Sequence, residues 1–269
     1  MATIRVGRWV GVCGVGPGLA STLTAAGCAA SSDPSPAAFQ TVRSDALESG
    51  NVPSNVMPLG DSITWGLDHT GGVRNDGGYR SRLFAGLQWN GIGHDRFCFV
   101  GTAWNGWAPG DQWGTDTPQE GHPGWTSQDL SDNLWWVLQR GKPNYVLLMI
   151  GTNDLTQGFS PDRSIQLMES VYDRILASPS VHRLFVASVI PAQSSGSYGD
   201  LQNGNIEGLN SRIQFAVNYR AMWGKPITFV DMYRWSGIND SDLSDGVHPN
   251  ASGYGKMGTV WTLAIKDYL

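Results

Sequence analysis

Charge is scarce in this chain: only 15% of its 269 residues are Asp, Glu, Lys or Arg, and the formal net charge is −5. No cluster of Lys and Arg occurs, so the sequence has no electrostatic footprint for nucleic acid, and that class of partner is set aside. Cysteine is scarcer still, with Cys13, Cys28 and Cys98, and no Cys/His spacing of the zinc-binding kind. Cys98, in Phe97-Cys98-Phe99-Val100, reads as a lone thiol on a buried strand. It needs no disulfide, and apolar surroundings disfavour its thiolate. No Gly-x-Gly-x-x-Gly or Walker-type loop follows an apolar run, which counts against a nucleotide-binding domain. There is no internal repeat. Long hydrophobic runs are lacking too: residues 9–26 are apolar but contain Gly11, Gly14, Gly16 and Pro17, and make a poor membrane span.

That first stretch has another use. Arg5 and Arg8 precede it, and it ends in Ala25-Ala26-Gly27-Cys28, the order of a secretory signal. Small residues before Cys28 resemble the lipobox of bacterial lipoproteins, which would make Cys28 a lipidated N-terminus and a membrane attachment. Ala25 stands where that motif usually has Leu, so plain secretion with cleavage nearby is the other reading. Residues 1–28 are thus expected to be a signal. Residues 29–51, rich in Ser, Pro and Ala, are expected to be a linker, and 52–269 the folded domain.

Within that domain, short apolar runs alternate with amphipathic stretches. Strands are predicted over residues 55–59, 96–101, 144–150, 183–190 and 227–231, each a continuous β-rich run suited to burial on both faces. Helices are predicted over 79–90, 127–140, 162–178, 206–223 and 251–268, with Ser127 as an N-cap and Pro161 at a helix start. Such alternation predicts a single three-layer α/β/α domain on a parallel sheet. Ligands in such sheets bind beyond the carboxyl ends of the strands, so the residues just after each strand matter most.

Three groups stand there. Gly60-Asp61-Ser62 ends the first run and presents a hydroxyl, which is a nucleophile only if a base takes its proton and donors receive the oxyanion. Gly151-Thr152-Asn153-Asp154 ends the third run, and the Asn153 amide can donate to an oxyanion. Asp245-Gly246-Val247-His248 precedes the last helix; a carboxylate three residues from an imidazole on a tight turn can hold one ring nitrogen while the other faces outward. Each alone also reads as an ordinary turn. Their convergence on one end of one sheet makes a hydrolase site the better reading.

These residues, together with Gly121-His122-Pro123-Gly124-Trp125-Thr126, resemble the four blocks of the SGNH (GDSL) hydrolase superfamily. The flanking residues, Met57-Pro58-Leu59 before the serine and Leu148-Met149-Ile150 before Gly151, resemble carbohydrate esterase family three, the acetyl xylan esterases. The resemblance implies a flavodoxin-like five-stranded sheet of order 2-1-3-4-5 and no metal or cofactor. It implies Ser62 as nucleophile, His248 as base and Asp245 as its orienting carboxylate. The oxyanion donors would be the backbone N–H groups of Ser62 and Gly124 and the Asn153 side chain. Position 64 is Thr, so the Gly-x-Ser-x-Gly elbow of α/β-hydrolases is missing.

Twelve tryptophans are many for this length. Trp104, Trp107, Trp113 and Trp125 fall in a loop of Gly, Pro, Asp and Gln, where aromatic faces suit sugar rings or an acyl pocket; folding the loop on itself is the plainer role. Trp89, Trp135, Trp136, Trp223 and Trp261 lie in periodic segments and are expected in the core. Asp61, Trp65, Trp107 and Trp125 are the candidates for substrate contact, although Asp61 also reads as a residue that shapes the turn. The function expected is an exported serine esterase acting on acetyl groups of a xylan-type carbohydrate. Its rivals are a lipase, thioesterase or lysophospholipase for longer acyl chains and a non-catalytic carbohydrate-binding protein.

Overall fold

The computed structural model describes residues 52–69, 74–75, 77–104, 118–193 and 203–269. The expected signal, the linker, Cys13, Cys28, Trp107 and Trp113 lie outside the described residues. Among the described residues, seven strands form the main sheet: β1 (Ser54–Gly60), β2 (Phe97–Phe99), β3 (Ala103–Trp104), β4 (Pro118–Gly121), β5 (Tyr145–Met149), β6 (Arg183–Ala187) and β7 (Ile227–Val230). The longer helices are α1 (Tyr79–Trp89), α2 (Ser127–Gly141), α3 (Pro161–Leu176), α4 (Asn203–Met222) and α5 (Ala251–Ile265). The architecture is the expected layered α/β one, a mostly parallel sheet between helices.

Strand alternation builds two cores from one sheet. Met57, Leu59, Val146, Leu148, Leu184 and Val186 face one way, into a cluster with Leu130 and Leu134 of α2, Val171 of α3 and Ile213 of α4. Val56, Leu147, Met149, Phe185 and Ala187 face the other, against Leu83 and Leu87 of α1 and Met257 and Trp261 of α5. Fully burying each such side chain contributes about 1.5–3 kcal/mol, which is why these strands are apolar on both faces. Helix α2 starts one residue earlier than a Ser127 cap implies. Thr126 is the N-cap, its hydroxyl accepting from the Asp129 N–H while the Asp129 carboxylate accepts from the Thr126 N–H, a reciprocal capping box.

The edge beside β1 departs from the five-strand expectation. β2 pairs in parallel with Ser54–Val56 only. The predicted strand over 96–101 therefore stops at Phe99, and the chain turns away through Gly101, at φ +156°. A side chain at Gly101 would collide with the Gln119 carbonyl. β4, which returns antiparallel to β3, takes up the rest of the edge and pairs in parallel with Leu59 and Gly60. Two strands thus share one edge of β1, and the second carries Gly121 to the tip of β1.

Two further expectations are corrected. Cys98 is disulfide-bonded and only half-buried, because it points away from the face that buries Phe97 and Phe99. Of the five tryptophans expected in the core, only Trp261 is there; Trp89, Trp135, Trp136 and Trp223 are exposed. On α2, Leu130, Leu134, Val137 and Leu138 already fill the inward stripe, so Trp135 and Trp136 fall on the outer face.

At Gly60, a side chain would meet the Met149 carbonyl oxygen of β5 and the Thr64 hydroxyl. Gly60→Ala is expected to lower the free energy of unfolding by about 1–3 kcal/mol, the usual cost of overpacking. Urea titration checks this, and a variant as stable as the parent contradicts the close approach.

Candidate active site

Ser62 opens a single helical turn, Ser62–Trp65, directly after β1. The buried Asp61 caps that turn, its Oδ1 accepting from the Ile63 N–H at 2.9 Å. The Ser62 N–H, at the first helical position, has no intrahelical acceptor. Arg80, wholly buried on α1, donates to the carbonyls of Thr64 and Trp65 and so satisfies the far end of the same turn. The nucleophile candidate therefore sits on backbone held at both ends.

The Ser62 hydroxyl lies 2.8 Å from His248 Nε2, across 186 positions of sequence. His248 Nδ1 lies 2.7 Å from Asp245 Oδ2. The other Asp245 oxygen accepts from the backbone N–H groups of His248, at 2.7 Å, and Val247, at 3.0 Å. A carboxylate only accepts, so Nδ1 carries the ring proton and Nε2 offers its lone pair to the Ser62 O–H. Partial burial opposes ionisation of Asp245. The bonds from the His248 side chain and from the two backbone N–H groups outweigh it and hold the carboxyl well below the ordinary carboxylate range. Asp245 is thus a fixed negative charge that can stabilise an imidazolium.

The oxyanion candidates come from two other strand ends. The parallel register of Gly60 with Gly121, reinforced by the His122 N–H donating to the Gly60 carbonyl at 2.9 Å, brings the 121–126 loop to the tip of β1. Gly124 lies in that loop at φ +85°, and its N–H makes no hydrogen bond among the described residues. After β5, Asn153 lies in the turn Thr152–Thr156, and its Nδ2 donates to the Trp125 carbonyl at 2.9 Å. An amide nitrogen has two N–H donors, so the second stays available. Next to it Asp154 is fully buried; its two oxygens accept from the Ser127 N–H, at 2.8 Å, and the Ser127 hydroxyl. Burial raises the Asp154 pKa. The pair Asn153-Asp154 thereby clamps the Gly124 loop at Trp125 and Ser127.

The substrate-contact candidates fare unequally. Asp61 is 1% exposed and turned into the protein; it caps the nucleophile turn and cannot meet a substrate. Trp65 is half-buried. The Trp125 ring is half-buried, packs against the core and stacks on the His122 ring at 3.7 Å between centroids, 16° between planes. That leaves one face at most for a ligand. Trp104 is exposed on the edge strand β3.

Three neighbours carried no expectation of their own. His69 Nε2 stands 3.5 Å from Asp245 Oδ2. Buried Glu120 accepts from the Thr102 N–H at 2.6 Å and sits 2.8 Å from His122 Nε2. Asp154 is the last residue of the Gly151-Thr152-Asn153-Asp154 group, where only Asn153 has a sequence-derived role. A single His in a polar turn has no spacing signal, and His69 could not have been found from the sequence. Glu120, in β4, and His122, just past its end, meet only because β4 is a strand, and no apolar pattern in the sequence marks it as one.

The fold and this arrangement have the form of an esterase-type hydrolase site, with a hydroxyl, an imidazole and a carboxylate in line. Residues 59–256 match the model of the GDSL-like lipase/acylhydrolase family, and the chain belongs to that family. A multidomain esterase of Ruminococcus flavefaciens is 32% identical over 235 residues, 80% of this chain but 28% of the relative, so the chain spans under a third of that protein. Among solved structures, the Clostridium thermocellum family 3 carbohydrate esterase superposes with a TM-score of 0.63 at 27% identity, covering 81% of this chain and 98% of its own. A mutant acetyl esterase with acetate ion gives a TM-score of 0.66 at 25% identity, covering 80% and 97%.

Burial pushes the Asp61 carboxyl up from 3.8 to about 6, against the Ile63 hydrogen bond that favours ionisation. A folded-state pKa above the unfolded one means the folded state holds the proton more tightly. That contribution to stability is present below about pH 4 and is lost as pH rises through about 6. Asp61→Asn keeps a capping oxygen but removes the titration. Relative to this variant, the parent should lose on the order of 1–3 kcal/mol between pH 4 and 7, read from urea unfolding at each pH. The contribution of Asp245, common to both proteins, cancels; parallel curves would contradict the buried acid.

Proposed function

We propose that this protein is a serine esterase that removes short acyl groups, acetyl above all, from a carbohydrate of the xylan type. The observation that carries the reading is the unbroken chain from Ser62 Oγ through the His248 ring to Asp245, at 2.8 and 2.7 Å, beside an Asn153 amide aimed by the Trp125 carbonyl. Similarity to an acetyl esterase and to family 3 carbohydrate esterases supports the choice of acyl group and substrate class. An exported protein, as the N-terminal residues predict, would meet such polymers outside the cell.

The chemistry follows from the tautomer. Ser62 Oγ attacks the ester carbonyl while His248 Nε2 takes its proton, and Asp245 stabilises the imidazolium that forms. The carbonyl oxygen becomes an oxyanion that accepts from the Ser62 and Gly124 N–H groups and from the free Asn153 N–H. Collapse expels the sugar alkoxide, which takes the proton back from His248 and leaves an acetyl-enzyme. Water, deprotonated by His248, attacks that ester in turn; acetate leaves and Ser62 recovers its proton. No step draws on a cofactor.

Assays on p-nitrophenyl acetate, butyrate and octanoate and on acetylated xylan test this. Rates should fall as the acyl chain lengthens, and acetate should be released from the polysaccharide. Ser62→Ala should leave only background. Asn153→Ala should lower kcat by about 10²–10³-fold, the usual loss for one oxyanion donor. A rate that rises towards octanoate replaces the acetyl reading with a longer-chain acylhydrolase; parent-like turnover by Ser62→Ala ends the mechanism.

A further inference from the structure

The Asp245 carboxylate serves two imidazoles. His248 Nδ1 lies 2.7 Å from Oδ2 on one side, and His69 Nε2 lies 3.5 Å from the same oxygen on the other. The two rings stand 5.2 Å apart between centroids, tilted at 59°, and one donor atom from each of the three residues lies within 4.8 Å of the others. His69 is not there by accident of a loose loop. Its N–H donates to the Ser244 hydroxyl at 3.1 Å, and that hydroxyl and the Ser244 N–H both donate to the His248 carbonyl, at 3.0 and 2.8 Å. The preceding Leu67 carbonyl accepts from the buried Tyr254 hydroxyl at 2.7 Å. The segment bearing His69 is therefore fastened to the segment bearing Asp245 and His248. The His69 side chain is about a third exposed, which leaves an open approach from solvent.

Two imidazole nitrogens and one carboxylate oxygen form a donor set for a borderline divalent ion such as Zn²⁺, which takes His and carboxylate ligands at about 2.0–2.2 Å and completes four-coordination with water. We propose that His69, Asp245 and His248 form a transition-metal site, and that its occupancy turns hydrolysis off. The part of this concerning hydrolysis rests on the esterase reading; the part concerning binding does not.

The reason for inhibition lies in the ring of His248. Neutral imidazole has one proton and one lone pair. A metal ion bound at Nδ1 uses the lone pair there, so the proton that Nδ1 donated to Asp245 must move to Nε2. Nε2 then donates towards Ser62 instead of accepting from it, and the base can no longer take the serine proton. The ring stays neutral, no proton is lost, and the metal holds the wrong tautomer. Metal binding also engages the Asp245 oxygen that stabilises the imidazolium. Inhibition should therefore be complete at saturation and reversible on chelation. Magnesium, a hard cation that keeps oxygen ligands and its own waters, should not compete for these nitrogens.

Calorimetric titration of zinc chloride into the Ser62→Ala protein reads the site without turnover, since Ser62 is not a ligand. One equivalent should bind, and His69→Ala or His69→Gln in the same background should weaken it by more than about tenfold. In the parent, zinc should suppress hydrolysis of p-nitrophenyl acetate, and EDTA should restore it. His69→Ala, which leaves Ser62, His248 and Asp245 in place, should hydrolyse the ester but need at least about tenfold more zinc for half-inhibition. No zinc binding, or binding and half-inhibition unchanged by both His69 variants, overturns the proposal. Should no ester be turned over, the esterase reading fails while calorimetry still decides the metal site.

Discussion

The tip of β1 is crowded on three sides, and the site depends on that crowding. Gly60 has the Met149 carbonyl against one face, Thr64 above it, and Gly121 of β4 in parallel register beside it. Gly121 is in turn the position where a side chain would strike the backbone of Trp65 and Thr64. These close approaches bring three strand ends together at one edge of the sheet. Ser62 comes from β1, Gly124 and Trp125 from the loop after β4, Asn153 from the turn after β5.

A second layer of bonds makes the meeting rigid. Asp154 reaches from the β5 end to the start of α2 and satisfies Ser127, whose N–H is one of the orphan donors of a helix start. Asn153 ties to the Trp125 carbonyl two residues earlier. Arg80 and Asp61 hold the two ends of the Ser62 turn. Asp61, Arg80, Ser127 and Asp154 are buried, so their hydrogen bonds are costly to break, and preorganised donors need no reorganisation when charge develops. Asp61 and Asp154 both carry the mark of this arrangement: burial raises the pKa of each because neither has a cationic side chain bonded to it. Asp245, bonded to His248 and two backbone N–H groups, goes the other way. Three carboxyls in one neighbourhood are thus shifted in opposite directions by their surroundings, Asp61 and Asp154 upward by burial and Asp245 downward by hydrogen bonds.

The surface speaks a different language from the core. Trp89 and Trp135 sit on helices whose inner stripes are already filled by aliphatic residues, Trp223 lies just past the end of α4, and all three face outward. Periodicity identified the helices correctly but did not say which residues within them faced in. On α2 the inward face is fixed by Leu130, Leu134 and Val137 at spacings of three and four; adjacent Trp135 and Trp136 lie about a hundred degrees further round at each step. Hydrophobicity alone would place all of them inside.

What the sequence by itself determined was whatever depends on neighbours along the chain. Continuous apolar runs marked β1, β5, β6 and β7, because a strand covered on both faces must be apolar at every position. Gly-Asp-Ser, Gly-Thr-Asn-Asp and Asp-x-x-His were legible because each is a turn whose chemistry is local. The tertiary structure decided whatever depends on pairing across the chain. Pro118–Gly121 has no apolar pattern and becomes a strand only because the second half of β1 is left unpaired when β2 stops at Phe99. That pairing, in turn, sets Glu120 where His122 meets it and carries the 121–126 loop to the tip of β1. His69 meets Asp245 over 175 or so residues through Ser244 and the His248 carbonyl, a contact with no trace in spacing. Local propensity and hydrophobic period are properties of a window of sequence; the second imidazole on Asp245 and the split edge of β1 are properties of the closed sheet.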